Sequence, residues 1–244
     1  MIDLHCHILH DMDDGSPSLD ESLSMAKKAV EDGIHAVVAT PHTLNGIYNN
    51  HRRDILLQIS TFKEALAKHA IDLKLFPGAD VHISPGMVEL IESGMACTIN
   101  DAKKYILLEF PSQTIPNGVK DELFYLKLHG ITPIITHPER HPFIQKDRDI
   151  LAEFIRIGAL IQVTATSIMG TFGERVRHCV EMLLRHRLVH IIASDAHSAI
   201  RRPPILSHAV KRAAEILDNY EEAEQMVSKI PFAIITGKSV EIPE

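Results

Sequence analysis

The sequence predicts an α/β fold in which parallel strands close into a barrel wrapped by helices. Three observations carry that reading. Seven short, nearly continuous apolar segments recur along the 244 residues, amphipathic helical patterns separate most of them, and no linker, repeat or low-complexity tract interrupts the alternation. A strand buried on both faces reads as an unbroken apolar run, as parallel strands under helices do. Seven such units in one stretch favour a barrel over an open doubly wound sheet, with residues 1–244 forming one domain.

The first strand lies in the apolar run 1–9. Alternation along it puts His5 and His7 on one face and Leu4, Cys6 and Ile8 on the other. A polar loop, 10–15, follows. Ser18 and Glu21 then make a capping box, and Leu19, Leu23, Ala26 and Val30 keep helical spacing up to Gly33. Strand 36–40 runs into Pro41-His42, and a helix over 53–69 carries the stripe Ile55, Ile59, Phe62 and Leu66. Strand 73–76 ends at Pro77-Gly78-Ala79-Asp80, and strand 105–108 at Glu109-Phe110-Pro111. Helix 119–129 leads into strand 133–136 and His137-Pro138-Glu139-Arg140. Helix 149–157 precedes strand 160–163, and helix 174–186 precedes strand 190–194, which ends in Asp195-Ala196-His197. Helices over 205–217 and 221–229 and a polar tail complete the chain.

Composition narrows the function classes. A net charge of −7 disfavours a nucleic-acid binder, because phosphate backbones are held by excess Lys and Arg. No apolar run is long enough to cross a bilayer, and no basic segment with an apolar stretch opens the chain, so a cytoplasmic location without membrane insertion is expected. Three cysteines without framework spacing fit reduced thiols. Sixteen histidines are the unusual statistic and hint at metal chemistry.

The hint sharpens at the strand ends. In six of the seven units the residue closing the strand, or just beyond it, is His, Asp or Glu: His5 and His7, His42, Asp80, Glu109, His137, and Asp195 with His197. Asp14 adds one more from the first loop. A closed parallel barrel gathers these carboxyl ends on one face, where such barrels place their active sites. Nine imidazoles and carboxylates there need a counter-charge, since burying unpaired charge is costly. They exceed one coordination sphere, so two or three divalent ions are expected, and nitrogen and oxygen donors without thiolate suit manganese, iron or zinc. Clustered ions lower the pKa of a water and polarise a phosphoryl oxygen. Arg140 and Arg201 or Arg202, beside two ligand loops, are candidate phosphate clamps. Metal-dependent phosphoester hydrolysis follows as the expected chemistry.

These motifs together resemble the PHP superfamily of metal-dependent phosphoesterases. DLHCHIL, DDGS, ATPH, YILLEF, THPER and SDAHS followed by RRPP are similar to its bacterial protein-tyrosine-phosphatase branch, encoded with capsule and exopolysaccharide systems. The likeness spans Ile2 to about Pro204. It implies a distorted (β/α)7 TIM-like barrel and a trinuclear, usually manganese, centre. It also implies metal-activated hydroxide attack on phosphotyrosine in the tail of a bacterial tyrosine kinase. One ion would take His5, His7, Asp80 and Asp195, a second Asp80, Glu109 and His137, and a third Asp14, His42 and His197. Arg140 and Arg202 would hold the phosphoryl group, Arg202 because it precedes the paired prolines. Two features depart from the branch: Asp80 stands where Glu is usual, and His10 is an added group in the first loop, either a bystander or a proton donor to the leaving phenolate.

Three rival readings remain to be separated. His178-Cys179 with Arg185 matches the HCx5R signature of cysteine-dependent phosphatases, but helical spacing and the lack of glycine argue for a helix and a core Cys179. A small-molecule phosphatase, such as one for histidinol phosphate, shares the superfamily and most of its ligands. A non-catalytic metal-binding module is the third.

Overall fold

The computed structural model describes residues 1–240. Its strands are β1 (Ile2–Cys6), β2 (Ala36–Ala39), β3 (His42–Thr43), β4 (Lys74–Pro77), β5 (Asp80–His82), β6 (Tyr105–Glu109), β7 (Thr132–Thr136), β8 (Leu160–Thr164) and β9 (Ile191–Ala193). All ladders are parallel, in the orders β1-β2-β4 and β3-β5-β6-β7-β8-β9. The two orders form one wall. β2 and β3 are successive pieces of one strand, broken at Thr40-Pro41, where proline has no N–H for the ladder. β4 and β5 are likewise broken at Gly78-Ala79; a Cβ on Gly78 would sit 2.7 Å from Val38 Cγ1, so the close approach requires glycine.

β9 closes the wall against β1. The Asp195 amide donates to His5 O at 2.8 Å and the His7 amide to Ala196 O at 2.9 Å. Ser194 adds its amide and hydroxyl, both donating to the Asp3 carboxylate. Seven strand positions therefore ring a lumen, and the two interruptions account for its distortion.

Alternation fills that lumen with hydrocarbon: Leu4, Val38, Leu107, Ile134, Leu160 and Ile191 meet inside, and Ile234 and Ile235 join the same cluster. Their neighbours Val37, Ile106, Ile135, Ile161 and Ile192 belong to the second cluster, between strands and helices. Leu4 corrects the expected facing of the first strand. The β1–β2 register shifts between Asp3 and Cys6, so Leu4 joins the lumen while Cys6 and Ile8 join the outer cluster. A bulge of this kind turns successive residues to one side and re-aims a side chain.

Helices Leu19–Glu31, Arg52–Lys68, Val119–Leu128, Asp149–Ile157, Glu174–Arg185 and Ser207–Leu217 match the helical patterns to within a few residues. Only half of the capping box forms. Ser18 accepts from the Glu21 amide at 3.2 Å, but the Glu21 carboxylate accepts from the Ala199 amide at 2.7 Å and ties the helix to the loop after β9. The expected helix over 221–229 is replaced by two, Tyr220–Gln225 and Lys229–Ile235. Asn219 caps the first, and Pro231 is tolerated because it lies in the first turn of the second. Val30 is exposed, although the helical spacing placed it in the stripe. The last four residues of the expected tail lie outside the described residues. No described helix is long and apolar enough to cross a membrane.

Candidate metal centre

The alternation that packs the lumen also decides what stands above it. Two residues beyond Leu107, Ile134 and Leu160 come Glu109, Thr136 and Gln162, pointing the same way, the first two at the carboxyl ends of β6 and β7 and Gln162 midway along β8. Asp80 opens β5 and is fully buried, and Asp195 follows β9 with 2% exposure. Two positions lie in left-handed backbone: His137 with φ +33° and Asp195 with φ +52°. Non-glycine residues there cost about 1–3 kcal/mol each, a strain that clusters at functional sites.

All nine expected ligands meet in one cluster. His5 Nε2 lies 3.1 Å from His7 Nε2 and 3.6 Å from both Asp80 Oδ2 and Asp195 Oδ1. His7 Nε2 is 3.3 Å from Asp195 Oδ1. Asp80 Oδ2 also reaches His42 Nδ1 at 3.3 Å and His137 Nε2 at 3.7 Å. Glu109 stands 3.5 Å from His42 and 3.6 Å from His137. Asp14 Oδ1 approaches His42 at 3.7 Å and His197 at 3.6 Å. Three groups have donor atoms within 4.8 Å of one another: His5, His7 and Asp80; His42, Asp80 and Glu109; His7, Asp14, His42 and His197. Asp80, His7 and His42 each belong to two of these groups, whereas Asp195 and His137 belong to none and join the cluster through the pairwise approaches given above. The shorter Asp80 side chain still reaches three imidazoles.

The residues that aim these ligands were not singled out in the sequence. Asp13 Oδ2 bonds His7 Nδ1 at 2.6 Å and accepts from the His42 amide at 2.9 Å. Gln162 Oε1 bonds His5 Nδ1 at 2.9 Å, so both Nε2 atoms are left for the centre. The Thr136 hydroxyl donates to Asp80 Oδ1 at 3.1 Å. Asp13 stands beside Asp14 in one run of acids, and nothing in the sequence tells ligand from orienter. Gln162 occupies the one strand that lacks an acid or histidine at its end. A Cβ on Gly15 would lie 2.4 Å from His7 O, so glycine lets the first loop press its two aspartates onto β1.

The charges suit a cation. Burial pushes Asp80 and Asp195 upward, but His5 and His137 with His42 for Asp80, and Arg140 with His5 for Asp195, hold both well below the usual carboxylate range. His197 holds Asp14 low. Burial lowers His5 to about 4, which keeps it neutral and ready to ligate. Burial also opposes charge on His7, His42 and His137, yet Asp13 and Asp80 outweigh it and raise all three. Asp80 Oδ2 and His42 Nδ1 are buried without a hydrogen-bond partner among the described residues.

Arg140 and Arg202 border the cluster, each with Nη2 2.6 Å from Asp195 Oδ2. Arg201 is exposed. His10 packs on Gln58 of the helix Arg52–Lys68, with its ring 3.2 Å from the amide nitrogen. Cys179 is buried within the helix Glu174–Arg185, where burial pushes its thiol up to about 12. Helical amides are used internally and cannot cradle phosphate, so the cysteine signature is a coincidence of spacing.

A seven-position barrel with this cluster at its carboxyl mouth defines a hydrolase of the metal-centred barrel class. The chain belongs to the capsular polysaccharide synthesis family CpsB/CapC, which matches residues 1–236. Tyrosine-protein phosphatase YwqE of Bacillus subtilis is 37% identical over 202 residues, 83% of this chain and 79% of that protein. Tyrosine-protein phosphatase CpsB of Streptococcus agalactiae is 30% identical over 216 residues, 86% of this chain and 88% of that protein. A solved structure from work on YwqE of Bacillus subtilis and CpsB of Streptococcus pneumoniae, described as metal-dependent tyrosine phosphatases, superposes with a TM-score of 0.87. It is 30% identical and covers all of this chain and 97% of its own. Histidinol phosphate phosphatase of Lactococcus lactis shares the fold, with a TM-score of 0.53 at 14% identity over 89% of this chain and 92% of its own.

Proposed function

We propose that this chain is a metal-dependent phosphatase acting on phosphotyrosine in proteins, with the tail of a bacterial tyrosine kinase of capsule or exopolysaccharide synthesis as its substrate. The carrying observation is the cluster of seven grouped histidines and acids, joined by Asp195 beside His5 and His137 beside Asp80 and bordered by two guanidinium groups, in a chain whose relatives are named tyrosine-protein phosphatases. The ligand sets are His5, His7, Asp80 and Asp195; Asp80, Glu109 and His137; and Asp14, His42 and His197. Manganese is the preferred ion, ahead of iron and zinc. The residues fit such ions: the donors are imidazole nitrogen and carboxylate oxygen without thiolate, and Asp80 Oδ2 and His42 Nδ1 are buried without hydrogen-bond partners among the described residues. Bound there, divalent ions lower the pKa of a water and polarise a phosphoryl oxygen.

The chain's own groups bind and orient. Asp13 and Gln162 fix the ring orientation of His7 and His5. Arg140 and Arg202 present planar forks that match phosphoryl oxygens in pairs. Residues 1–244 act as one domain in the cytoplasm. The test compares hydrolysis of phosphotyrosine peptides and of histidinol phosphate, with and without a chelator. Faster, chelator-sensitive turnover of the peptides is expected. Preference for histidinol phosphate transfers the site to small molecules, and retained ions without any phosphomonoester hydrolysis make it a non-catalytic module.

A further inference from the structure

We propose that Phe172 is a positioning residue for the two phosphate-binding arginines, acting through its aromatic face. The inference rests on the phosphatase reading above. Phe172 lies in the loop after the short helix Ala165–Ile168, between Gly170 and Gly173, whose φ values of +82° and +91° belong to the left-handed region. Its ring centroid is 4.1 Å from Arg140 Cζ and 5.7 Å from Arg202 Cζ. Both distances lie within the reach of a cation–π contact. The same two side chains converge on one atom, Asp195 Oδ2, at 2.6 Å each. Each gains a further bond, Arg140 from Nη2 to Thr164 Oγ1 at 2.7 Å and Arg202 from Nη2 to Asp195 O at 2.9 Å, while the Nε of each arginine is buried without a partner among the described residues.

Two like charges sharing one carboxylate oxygen repel each other, and that oxygen belongs to a proposed ion ligand. Asp195 engaged with a cation has less charge left for the guanidinium groups. The electron-rich ring attracts both of them and offers a contact that does not compete for the carboxylate. Phe172 thereby keeps two forks paired at the mouth, with donors available to one phosphoryl group.

The test uses the ion-loaded full chain as wild type, Phe172→Ala, Phe172→Leu and Phe172→Tyr. Affinity for inorganic phosphate is measured by calorimetry, kcat and KM on a phosphotyrosine peptide by steady-state kinetics, and bound ions by elemental analysis. Phe172→Ala is expected to weaken phosphate binding about tenfold and to raise KM, from two contacts of ordinary cation–π strength. Phe172→Leu, which keeps bulk without a π face, should stay weak, and Phe172→Tyr should recover. Ion content should be unchanged in all four. Phosphate affinity retained in the Leu or Ala variant overturns the proposal, as does a loss that follows lost ions. Where the Ala variant fails to fold, the Leu and Tyr pair decides. A wild type that hydrolyses no phosphotyrosine yet binds phosphate in this Phe172-dependent way ends the phosphatase reading and supports this one.

Discussion

Asp80→Asn isolates the most shared group of the centre. Its Oδ2 lies 3.6, 3.3 and 3.7 Å from His5, His42 and His137, and the side chain is fully buried. Asparagine keeps the shape and an oxygen for the Thr136 hydroxyl but removes the charge from two ligand sets at once. Removing a group that merely orients a ligand costs about 10–100-fold, so loss of a shared ligand sets that as a floor for each of two ions, about 10²–10⁴ together. The ion-free fold is affected too. Burial raises Asp80, but the three imidazoles hold it well below its ordinary value, so its stabilisation is present above the unfolded carboxylate range and lost as pH falls through the folded pKa. At neutral pH the variant should therefore be less stable by about 3–5 kcal/mol, the usual cost of breaking a buried pair. The assay is kcat/KM on p-nitrophenyl phosphate, alongside bound-ion count and chemical denaturation of the stripped protein. A variant with the wild-type rate and the full ion complement would refute the reasoning.

Three other outcomes are expected. Asp13→Asn should weaken ion affinity about 10–100-fold in competition with a chelator, because it frees the His7 ring that it now holds at 2.6 Å; unchanged affinity would make Asp13 a loop anchor only. Cys179→Ser should leave hydrolysis intact, since the thiol sits in a helix with its pKa pushed up to about 12; abolished activity would revive the cysteine mechanism. His7, His42 and His137 are raised above 6.5 in the ion-free chain, so they hold protons between that value and their raised ones. Their stabilising contribution to the ion-free fold is full below 6.5 and fades as pH rises through the raised values. Ion uptake within that window must then release protons and tighten as pH rises through it, which calorimetry in buffers of different ionisation heat will detect; uptake without proton release there would contradict it.

The barrel was legible because each strand is a short apolar run and each long helix keeps its period. The candidate cluster was legible because strand ends in a parallel barrel share one face, so Glu109 lies 3.6 Å from His137 and Asp195 3.6 Å from His5 although they are far apart in sequence. What escaped has physical reasons. The bulge at Leu4-His5 arises from pairing with β2, which the residues of β1 alone do not encode. Helices as short as Met87–Glu92 and Pro142–Lys146 span less than two turns, too few for periodicity to register. Gln162 and Phe172 are ordinary residue types whose role comes only from what they face across the mouth. Asp13 was hidden by Asp14 beside it.

The most direct test removes the ions with a chelator, verifies their absence by elemental analysis, and follows phosphotyrosine hydrolysis before stripping, after it, and after manganese is returned. The account predicts a rate that collapses with ion content and recovers on readdition. Undiminished turnover in protein free of ions would contradict it.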